Sequence, residues 1–521
     1  MKGAVAAGHP LTAQAGARIL AEGGNAVDAC IAAGFVSWVT ESPLTGPGAG
    51  GFMLVHRARD HSDRILDFFV TIPGRGFRTA GAQMDEVLVP FDRRTLQLFR
   101  IGGASCAVPG AVAGLGEAHR LFARLPWRKL IEPAVEVARE GVVLNKQQAF
   151  LHSILDAALR ARPQGREIYG LRRPLATGES LFMRDLADTL EVLAAEGAHT
   201  FYRGALAREI STAVRAEGGR ITEDDLASYR VIRRRPVRAS YRGHEFVSNP
   251  PPSAGGLLIG FALRVLDRLG SRARPGSAAA IAALAEVMRE ATSARGGSFT
   301  RELYRGGLSE RLLADERIDE AADSARRSSR PAVAERAGVP STTHISVVDA
   351  AGNAASLSAS TGCGSGVIVP GTGIQLNNML GEEDLSPGGR TAAAPGARLT
   401  SMMAPSVVLE DGRPRLVVGS AGSVRLRAAI TQIIVNVVGH GMSVREAISR
   451  PRVHLEGSQL QLEGGIDPAV AARLEELGYD VVRWRGRNLY FGGAAVVGLR
   501  EDGSLEAAGD PRRGGAGVVV K

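Results

Sequence analysis

Apolar residues recur at two different spacings along this chain, and the spacings separate a helix-rich first part from a strand-rich last part. Continuous and alternating apolar runs predict early strands at 52–56 and 65–70. Small and apolar residues at helical spacing, with Thr12 and Asn25 as caps of the first two helices, predict helices over 12–23, 25–39, 111–124, 129–140, 147–161, 181–196, 257–269 and 278–293.

The pattern changes after residue 318. Segment 318–340 is polar and rich in Arg, Ser and Ala, which indicates a mobile exposed connection and the best place for a break in the chain. Helices are predicted near 423–439 and 466–477. Strands are predicted at 342–349, 354–360, 405–410, 414–419, 494–499 and 516–520, so the whole chain is expected to be α+β.

Length and composition exclude several classes of protein. A chain of 521 residues that is 45% hydrophobic and 22% charged can bury a large core, which excludes disordered, collagen-like and disulfide-stapled proteins. No apolar run reaches about 18 residues, and segment 1–16 lacks the apolar stretch of a secretory signal. We therefore expect a cytoplasmic protein with no membrane partner. The three cysteines have no paired spacing and are expected to be reduced thiols.

Charge and short motifs do not indicate a nucleic-acid partner, a metal or a cofactor. The net charge is +9, but only four of the 63 basic residues are lysine, and the arginines are scattered among acidic residues. P-loop, zincin and G-x-S-x-G motifs are absent from the sequence. Gly46, Gly48 and Gly51 match G-x-G-x-x-G, yet they follow a helix and precede a strand, so a packing turn is expected.

The predicted hairpin at 342–360 carries the candidate chemistry. With residues 350–353 as its loop, Asp349 would lie opposite Ala354, Thr342 opposite Thr361, and Thr343 opposite Ser360. The alternation of a strand places two sets of side chains on opposite faces: Thr342, His344 and Ser346 on one, and Thr343, Ile345 and Val347 on the other.

A threonine at the start of a strand, directly after a mobile connection, is what a self-processing N-terminal nucleophile needs. Cleavage between Ser341 and Thr342 would free an α-amine with an ordinary pKa of about 7.7 to 8.0, which can accept the hydroxyl proton during attack on a carbonyl. That amine would fill the role of the base, so His344 is expected to be structural. The alternative is an ordinary strand start with solvated hydroxyls.

The segment TTHISVVDAAGNAASLSAS at 342–360 resembles the catalytic segment of the γ-glutamyltranspeptidases. The resemblance implies an N-terminal-nucleophile hydrolase with a four-layer αββα sandwich, autoprocessed into a large chain 1–341 and a small chain 342–521 that associate as a heterodimer without a metal or cofactor. It extends over segments 23–54, 224–230, 249–256, 373–379, 398–408, 419–425 and 509–513.

The same resemblance implies roles for individual residues. Thr342 would be the nucleophile, and Ser360 would replace a threonine whose hydroxyl supports it. Thr400 and Ser401 stand where a Ser-Ser pair holds the substrate carboxylate. Gly422 and Ser423 stand where two glycines donate the backbone N–H groups of an oxyanion hole, and serine keeps that N–H.

Several positions depart from the family pattern. Phe69 stands where an arginine clamps the α-carboxylate of the γ-glutamyl group, and Gly362 stands where an asparagine is expected. Met379 and Glu382 stand where a Gln or Glu and an Asp contact the donor's amino group. A short loop before Thr400 suggests little or no lid. The arginines that could replace the clamp are Arg64, Arg75 and Arg78.

Three functional hypotheses follow. The first is a self-cleaving hydrolase or acyltransferase that acts through an acyl-Thr342 intermediate on a non-standard small-molecule substrate. Such a role is compatible with specialised-metabolite or antibiotic pathways, including acyl carbon–carbon bond hydrolysis in alkylproline precursor assembly. The second is a working γ-glutamyltransferase and glutathione hydrolase. The third is an unprocessed, non-catalytic relative that acts as a binding protein.

Overall fold

A computed structural model describes residues 1–76, 83–90, 96–327, 342–382, 385 and 394–521. Two large antiparallel sheets face each other. In spatial order, the seven strands of the first sheet are Ala516–Val520, Gly3–Ala7, Thr343–Asp349, Ala354–Ser360, Gly50–Arg57, Ser62–Phe68 and Ile232–Arg234. The six strands of the second are Leu505–Gly509, Gly493–Leu499, Arg413–Ala421, Ser406–Glu410, His244–Ser248 and Val237–Tyr241.

Helices cover the outer face of each sheet. The helices of the first half of the chain are Pro10–Ala21, Ala26–Thr40, Ala111–Phe122, Trp127–Glu140, Lys146–Ile154, Asp156–Leu159, Pro163–Tyr169, Arg184–Glu196, Ala205–Ala216 and Glu223–Ala227. The later ones are Gly255–Leu269, Ala278–Ser293, Phe299–Glu302, Leu308–Leu312, Asp315–Arg327, Arg425–Ile434, Val444–Ser449 and Pro468–Glu476, and a π-helical segment Val435–Gly439 extends the helix before it.

Four smaller sheets of described residues lie outside the two large ones. One is three-stranded and contains Val453–Glu456, Gln459–Leu462 and Asp480–Arg483. The two-stranded ones pair Asp85–Pro90 with Leu96–Ile101, Val142–Val143 with Ser180–Leu181, and Ile368–Val369 with Ile374–Gln375. Among the helices of the described residues, none combines the length and the hydropathy that a membrane span requires.

Three apolar cores show that the molecule has four layers. One core packs the helix Ala26–Thr40 and its neighbours against the seven-stranded sheet. A second lies between the sheets and joins Phe52 and Leu54 of the first to Val407 and Val417 of the second. A third packs the helices Gly255–Leu269 and Arg425–Ile434 on the six-stranded sheet. The expected α+β, αββα sandwich is therefore confirmed.

Local sequence explains how the buried helix Ala26–Thr40 starts. The side chain of Asn25 accepts hydrogen bonds from the N–H groups of Val27 and Asp28, both at 2.9 Å, and the Asp28 carboxylate accepts the N–H of Asn25. This reciprocal capping box satisfies N–H groups that a buried helix end would otherwise leave unpaired. The helix before it begins at Pro10 and is capped by His9, so the predicted start at residue 12 was two residues late.

Two further predictions need correction. The mobile connection predicted over 318–340 is helical up to Arg327, because Ile318, Ala321 and Ala325 form a buried face at helical spacing; residues 328–341 lie outside the described residues. The hairpin register is shifted by one residue, with Thr343 opposite Ala359 and Val348 opposite Ala354.

Hydrogen bonds of Asp349, within the hairpin loop and to a distant helix, account for the shift. The Asp349 carboxylate accepts hydrogen bonds from the N–H groups of Ala351, Asn353 and Ala26 at 2.9 to 3.0 Å. The N–H of Asp349 donates to the carbonyl of Asn353 at 3.0 Å, so Asp349 lies opposite Asn353 instead of Ala354, and the loop is 350–352, one residue shorter than predicted.

The glycine-rich loop at 46–51 is a packing turn, as predicted. A Cβ atom on Gly48 would overlap the carbonyl oxygen of Gln375, and one on Gly51 would overlap that of Ser358. The three cysteines are free and buried, which confirms that they form no disulfide.

Candidate active site

The predicted residues converge on one cavity beside the start of the strand Thr343–Asp349. Its volume is about 50 Å³. It is lined by Phe69, Thr342, Ser360, Gly362, Met379, Glu382, Leu385, Ser401, Met402, Met403, Ser423 and Leu426. Thr400 and Gly422 precede two of these residues in the chain but are not among the described residues that line the cavity, and Ser341 lies outside the described residues.

Buried polar contacts hold the backbone at Thr342 and at the residue that follows it. Its carbonyl oxygen accepts a hydrogen bond from Nη1 of Arg513 at 2.9 Å. The next side chain points to the other face of the strand, where Oγ1 of Thr343 donates to Oε2 of Glu41 at 2.6 Å. Both threonines are buried, so the position of Thr342 is fixed by buried polar contacts.

Ser360 owes its place near Thr342 to the corrected register. Thr343 lies opposite Ala359. The residue before Thr343 and the residue after Ala359 therefore also lie opposite each other, so the side chains of Thr342 and Ser360 are on the same face of the sheet. The Ser360 hydroxyl accepts the N–H of Gly362 at 2.9 Å. The predicted register would have put the two side chains on opposite faces.

Gly422 and Ser423 form a tight turn between the strand Arg413–Ala421 and the helix Arg425–Ile434. Their φ angles are +132° and +52°. The carbonyl of Gly422 accepts the N–H of Arg425 at 3.0 Å, and that of Ser423 accepts the N–H of Leu426 at 3.2 Å. Serine thus adopts a left-handed conformation that glycine adopts more readily. Oxyanion stabilisation by this turn stays a prediction.

Phe69 is fixed in the cavity wall through its backbone. Its N–H donates to Oδ1 of Asp67 at 3.0 Å. Its carbonyl accepts the hydroxyl of Tyr229 at 2.7 Å and a guanidinium N–H of Arg398. The ring stacks on Phe52 with centroids 5.4 Å apart. Phe69 is therefore part of the core between the sheets as well as part of the cavity.

No arginine occurs among the described residues that line the cavity. Arg64 donates to the carbonyl oxygen of Asp63, and the guanidinium of Arg75 lies against Gly396. Arg78 lies outside the described residues. Neither Arg64 nor Arg75 therefore replaces the missing clamp.

Gly362 fits its surroundings only as glycine. Its φ is +67°, and a Cβ atom there would overlap Oδ1 of Asn378 and come within 2.8 Å of Oε1 of Glu382. The Asn378 oxygen also accepts the N–H of Cys363 at 3.0 Å. The space of the expected asparagine side chain is thus taken by the side chains of Asn378 and Glu382.

Sequence reasoning missed several residues around Thr342. Met402, Met403 and Leu426 form apolar walls of the cavity, although the first two directly follow the predicted Ser401. Glu41 and Arg513 lie in segments that match the family, but no chemical motif marked them.

His344 has the structural role predicted for it. Nδ1 lies 2.8 Å from the Ser358 hydroxyl and Nε2 lies 3.0 Å from the Ser346 hydroxyl. Burial lowers the pKa of this histidine to about 3. The ring is therefore neutral at physiological pH, and its two nitrogens join the hairpin strands in the layer between the sheets.

Comparison with known proteins agrees with this geometry. The sequence model of the gamma-glutamyltranspeptidase family matches residues 12–520. The chain belongs to the gamma-glutamyltranspeptidase family.

Two curated members of this family resemble the chain over nearly its whole length. The acylase ACY 1 proenzyme of Pseudomonas sp. (strain SE83) is 35% identical, with 100% of this chain and 94% of that protein covered. The glutathione hydrolase proenzyme of Escherichia coli (strain K12) is 31% identical, with 98% and 90% covered. Membership of the family makes this chain an enzyme with hydrolase or transferase activity.

A solved structure of the family has the same architecture. The crystal structure of cephalosporin acylase from Bacillus halodurans superimposes with a TM-score of 0.84 at 26% identity and covers 100% of this chain and 96% of that one. The two-sheet frame and the outer helices are thus those of an N-terminal-nucleophile hydrolase of this family.

Proposed function

We propose that the chain cleaves itself between Ser341 and Thr342, and that Thr342 then acts as the N-terminal nucleophile of an amide hydrolase or acyltransferase. The observation that carries the proposal is the convergence of Thr342, Ser360 and Ser423 on one cavity. The names of the two curated relatives, both proenzymes, support processing.

The topology explains how the two products, 1–341 and 342–521, would stay together as a heterodimer. The strand Gly3–Ala7 of the large chain pairs on one side with Thr343–Asp349 and on the other with Ala516–Val520, both of the small chain. Strand Gly50–Arg57 of the large chain pairs with Ala354–Ser360. Strand His244–Ser248 of the large chain pairs with Ser406–Glu410 of the small chain. Separation would break these four strand ladders and open shared cores, so cleavage alone does not release either chain.

The proposed reaction uses the freed amine as base. Oγ1 of Thr342 attacks the acyl carbon of a small-molecule substrate while the α-amine takes the hydroxyl proton. The N–H groups of Gly422 and Ser423 stabilise the oxyanion, and Ser360 orients the nucleophile. The α-ammonium group then gives this proton to the leaving amine as the carbon–nitrogen bond breaks. Water then hydrolyses the acyl-Thr342 ester, or an acceptor amine takes the acyl group.

The cavity walls support a substrate other than a standard γ-glutamyl donor. Phe69 replaces the clamping arginine, and Met379, Met402, Met403 and Leu426 add apolar surface. Losing one charge-assisted pair costs about 1.5 to 3 kcal/mol of donor recognition. We place the acyl chain against Phe69 and the polar part of the substrate near Thr400, Ser401 and Glu382.

This acyl preference also fits a role in specialised metabolism. Attack of Thr342 on an acyl carbon is the same step whether a carbon–nitrogen or a carbon–carbon bond then breaks. In the second case the electron pair stays with the leaving carbon, which takes the proton from the α-ammonium group, so acyl carbon–carbon hydrolysis belongs to the same proposal. The alternative, glutathione hydrolysis, is supported by the relative from Escherichia coli that bears that name.

Two measurements test the proposal. Intact mass and N-terminal sequencing should give chains of 341 and 180 residues, the second starting at Thr342, with Thr342→Ala uncut and Thr342→Ser cut slowly. The processed enzyme should then release 4-nitroaniline faster from hexanoyl 4-nitroanilide than from γ-glutamyl 4-nitroanilide. Faster release from the γ-glutamyl compound would favour the alternative, and a chain that stays uncut would overturn the proposal.

A further inference from the structure

Behind the proposed nucleophile lies a buried polar cluster with no part in the reaction described above. It consists of Glu41, Thr343 and Arg513. Thr343 donates its hydroxyl to Glu41 at 2.6 Å, and Arg513 donates to the carbonyl of Thr342 at 2.9 Å. Glu41 and Arg513 also line a second small cavity of about 20 Å³. Two adjacent residues at the start of one strand are therefore each held by an ionisable side chain, Thr343 by the buried Glu41 and Thr342 by the partly buried Arg513.

We propose that Glu41, Thr343 and Arg513 form a clamp that positions Thr342, and that this clamp sets the rate of both chain cleavage and acyl transfer. The inference rests on the proposed function, because it assumes that Thr342 is the nucleophile. None of the three side chains is among the described residues that line the substrate cavity, so each is a positioning residue and not a catalytic one.

Two features of the fold fix the position of the Glu41 carboxylate. Glu41 is the residue directly after the buried helix Ala26–Thr40, where its N–H donates to the carbonyl of Ser37 at 2.9 Å. A Cβ atom on Gly8 would overlap Oε2 of Glu41, so glycine at position 8 leaves the space that the carboxylate fills. The carboxylate is therefore fixed by the end of a helix and by close packing against the first strand segment.

Burial shifts the pKa values of both ionisable side chains of the cluster towards their neutral forms, and nearby polar and charged groups oppose these shifts. Burial raises the pKa of Glu41 to about 7, and the Thr343 hydroxyl and Arg513 oppose that rise. Burial lowers the pKa of Arg513 to about 10, and Glu41 and Asp510 oppose that fall. Each group thus supports the charged form of the other; Arg513 contacts the carbonyl of Thr342, and Glu41 contacts the side chain of Thr343.

The clamp acts by keeping the Thr342 hydroxyl at the right distance from the carbon that it attacks. Before cleavage, Oγ1 of Thr342 has to reach the carbonyl carbon of residue 341; after cleavage, it has to reach the acyl carbon of the substrate. In both states the strand start must stay in place, although the peptide bond that preceded Thr342 is lost in the second. A misplacement of a reacting group by about 1 Å can cost on the order of a hundredfold in rate.

The experiment uses the full chain and three threonine variants. Thr343→Val removes the hydroxyl at nearly constant shape, and Thr343→Ser restores it. Thr189→Val is the matched control, since Thr189 is an equally buried threonine whose hydroxyl donates to the carbonyl of Thr372, away from the cavity. Cleavage is followed in a cell-free translation reaction after synthesis is stopped, as the fraction of chain still uncut with time.

We expect Thr343→Val to slow cleavage by about tenfold or more, with Thr343→Ser and Thr189→Val within about twofold of the wild type. In the processed enzyme, Thr343→Val should lower kcat for hexanoyl 4-nitroanilide by a similar factor and change KM by less than about twofold, because the acyl cavity is untouched. Melting temperatures show whether each variant is folded.

If Thr343→Val does not fold, Glu41→Met replaces it, since methionine has a similar volume and removes the acceptor of the Thr343 hydroxyl. The same loss in cleavage rate is expected. A folded variant that cleaves and turns over like Thr189→Val would overturn the clamp. A wild-type chain that is never cut would instead overturn the proposed function, so the two failures are distinguishable.

Discussion

The rings of Phe52 and Phe69 stack with their centroids 5.4 Å apart and their planes inclined by 20°. Phe52 belongs to a central strand of the first sheet, and Phe69 follows the neighbouring strand and lines the candidate active-site cavity. The residue against which we place the acyl chain of the substrate is therefore joined to the core between the sheets. The same Phe69 side chain therefore lines the candidate active-site cavity and stabilises the core.

We expect Phe69→Leu to lower the free energy of unfolding by about 1 kcal/mol, because it removes the aromatic pair but keeps most of the buried apolar area. It should also raise KM for hexanoyl 4-nitroanilide. Urea unfolding and steady-state kinetics measure the two effects. Phe99→Leu is the control, since Phe99 is equally buried in the core beneath the outer helices. Equal KM changes in both variants would remove Phe69 from the acyl site.

Gly362→Ala tests whether position 362, where the family pattern has an asparagine, can accept any side chain in this protein. The added Cβ would overlap Oδ1 of Asn378 at a φ of +67°, so we expect a loss of more than about 2 kcal/mol in unfolding free energy and a fall in turnover. Gly371→Ala is the matched control, because Gly371 has a φ of +71° with open space around its Cβ position.

The control should lose only about 1 kcal/mol, the cost of the left-handed backbone alone. Chemical unfolding measures both variants on the same scale. Equal losses at the two positions would mean that Asn378 moves aside easily, and that the cavity is more adaptable than its packing indicates.

Ser423→Gly tests the turn proposed to hold the oxyanion. Serine at a φ of +52° is strained, so glycine should stabilise the fold by about 0.5 to 1 kcal/mol even after its greater freedom in the unfolded chain is counted. Because the backbone N–H is retained, turnover should stay within about twofold of the wild type. Thermal unfolding and anilide hydrolysis provide the measurements.

Asp411→Gly serves as the control for this variant. Asp411 has a φ of +49° in an exposed turn, far along the strand from Ser423. A similar gain in stability with unchanged turnover is expected there. A large loss of turnover confined to Ser423→Gly would show that the serine hydroxyl, and not only its N–H, serves the reaction.

Much of the frame follows from the sequence because its elements are marked locally. Asn25 and Asp28 mark the start of the buried helix, and the hairpin strands Thr343–Asp349 and Ala354–Ser360 match their predicted ranges to within one residue. The strand Gly3–Ala7 was missed, since all five residues are small or apolar and buried on both faces. Such a strand has no alternation that a sequence pattern could show.

The candidate site was only partly predictable for a related reason. Thr342, Ser360 and Ser423 stand out through a family motif, and the structure brings them together. The register that places Ser360 beside Thr342 depends on the Asp349 carboxylate and its partner Ala26, which lies 323 residues away in the chain. Tertiary hydrogen bonds of this kind decide register without leaving a local signal.

The last prediction concerns acid stability and the buried His344. Its folded-state pKa is about 3, against an ordinary value of 6.5, because burial disfavours the charged ring. Below pH 6.5 the unfolded chain therefore binds a proton that the folded chain does not bind until about pH 3. The stability that the neutral ring provides is complete above pH 6.5 and is lost as the pH falls from 6.5 towards 3.

Between pH 6.5 and pH 5 this single group should remove about 2 kcal/mol of unfolding free energy. His344→Asn lacks a titrating ring, so its stability deficit relative to the wild type should shrink by that amount over the same range. His9 and His152, whose pKa values burial also lowers, contribute equally to both proteins and cancel in the difference. Urea unfolding at pH 7, 6 and 5 measures it. Two parallel curves would mean that the folded protein protonates His344, which would reopen its role as an acid or base beside Thr342.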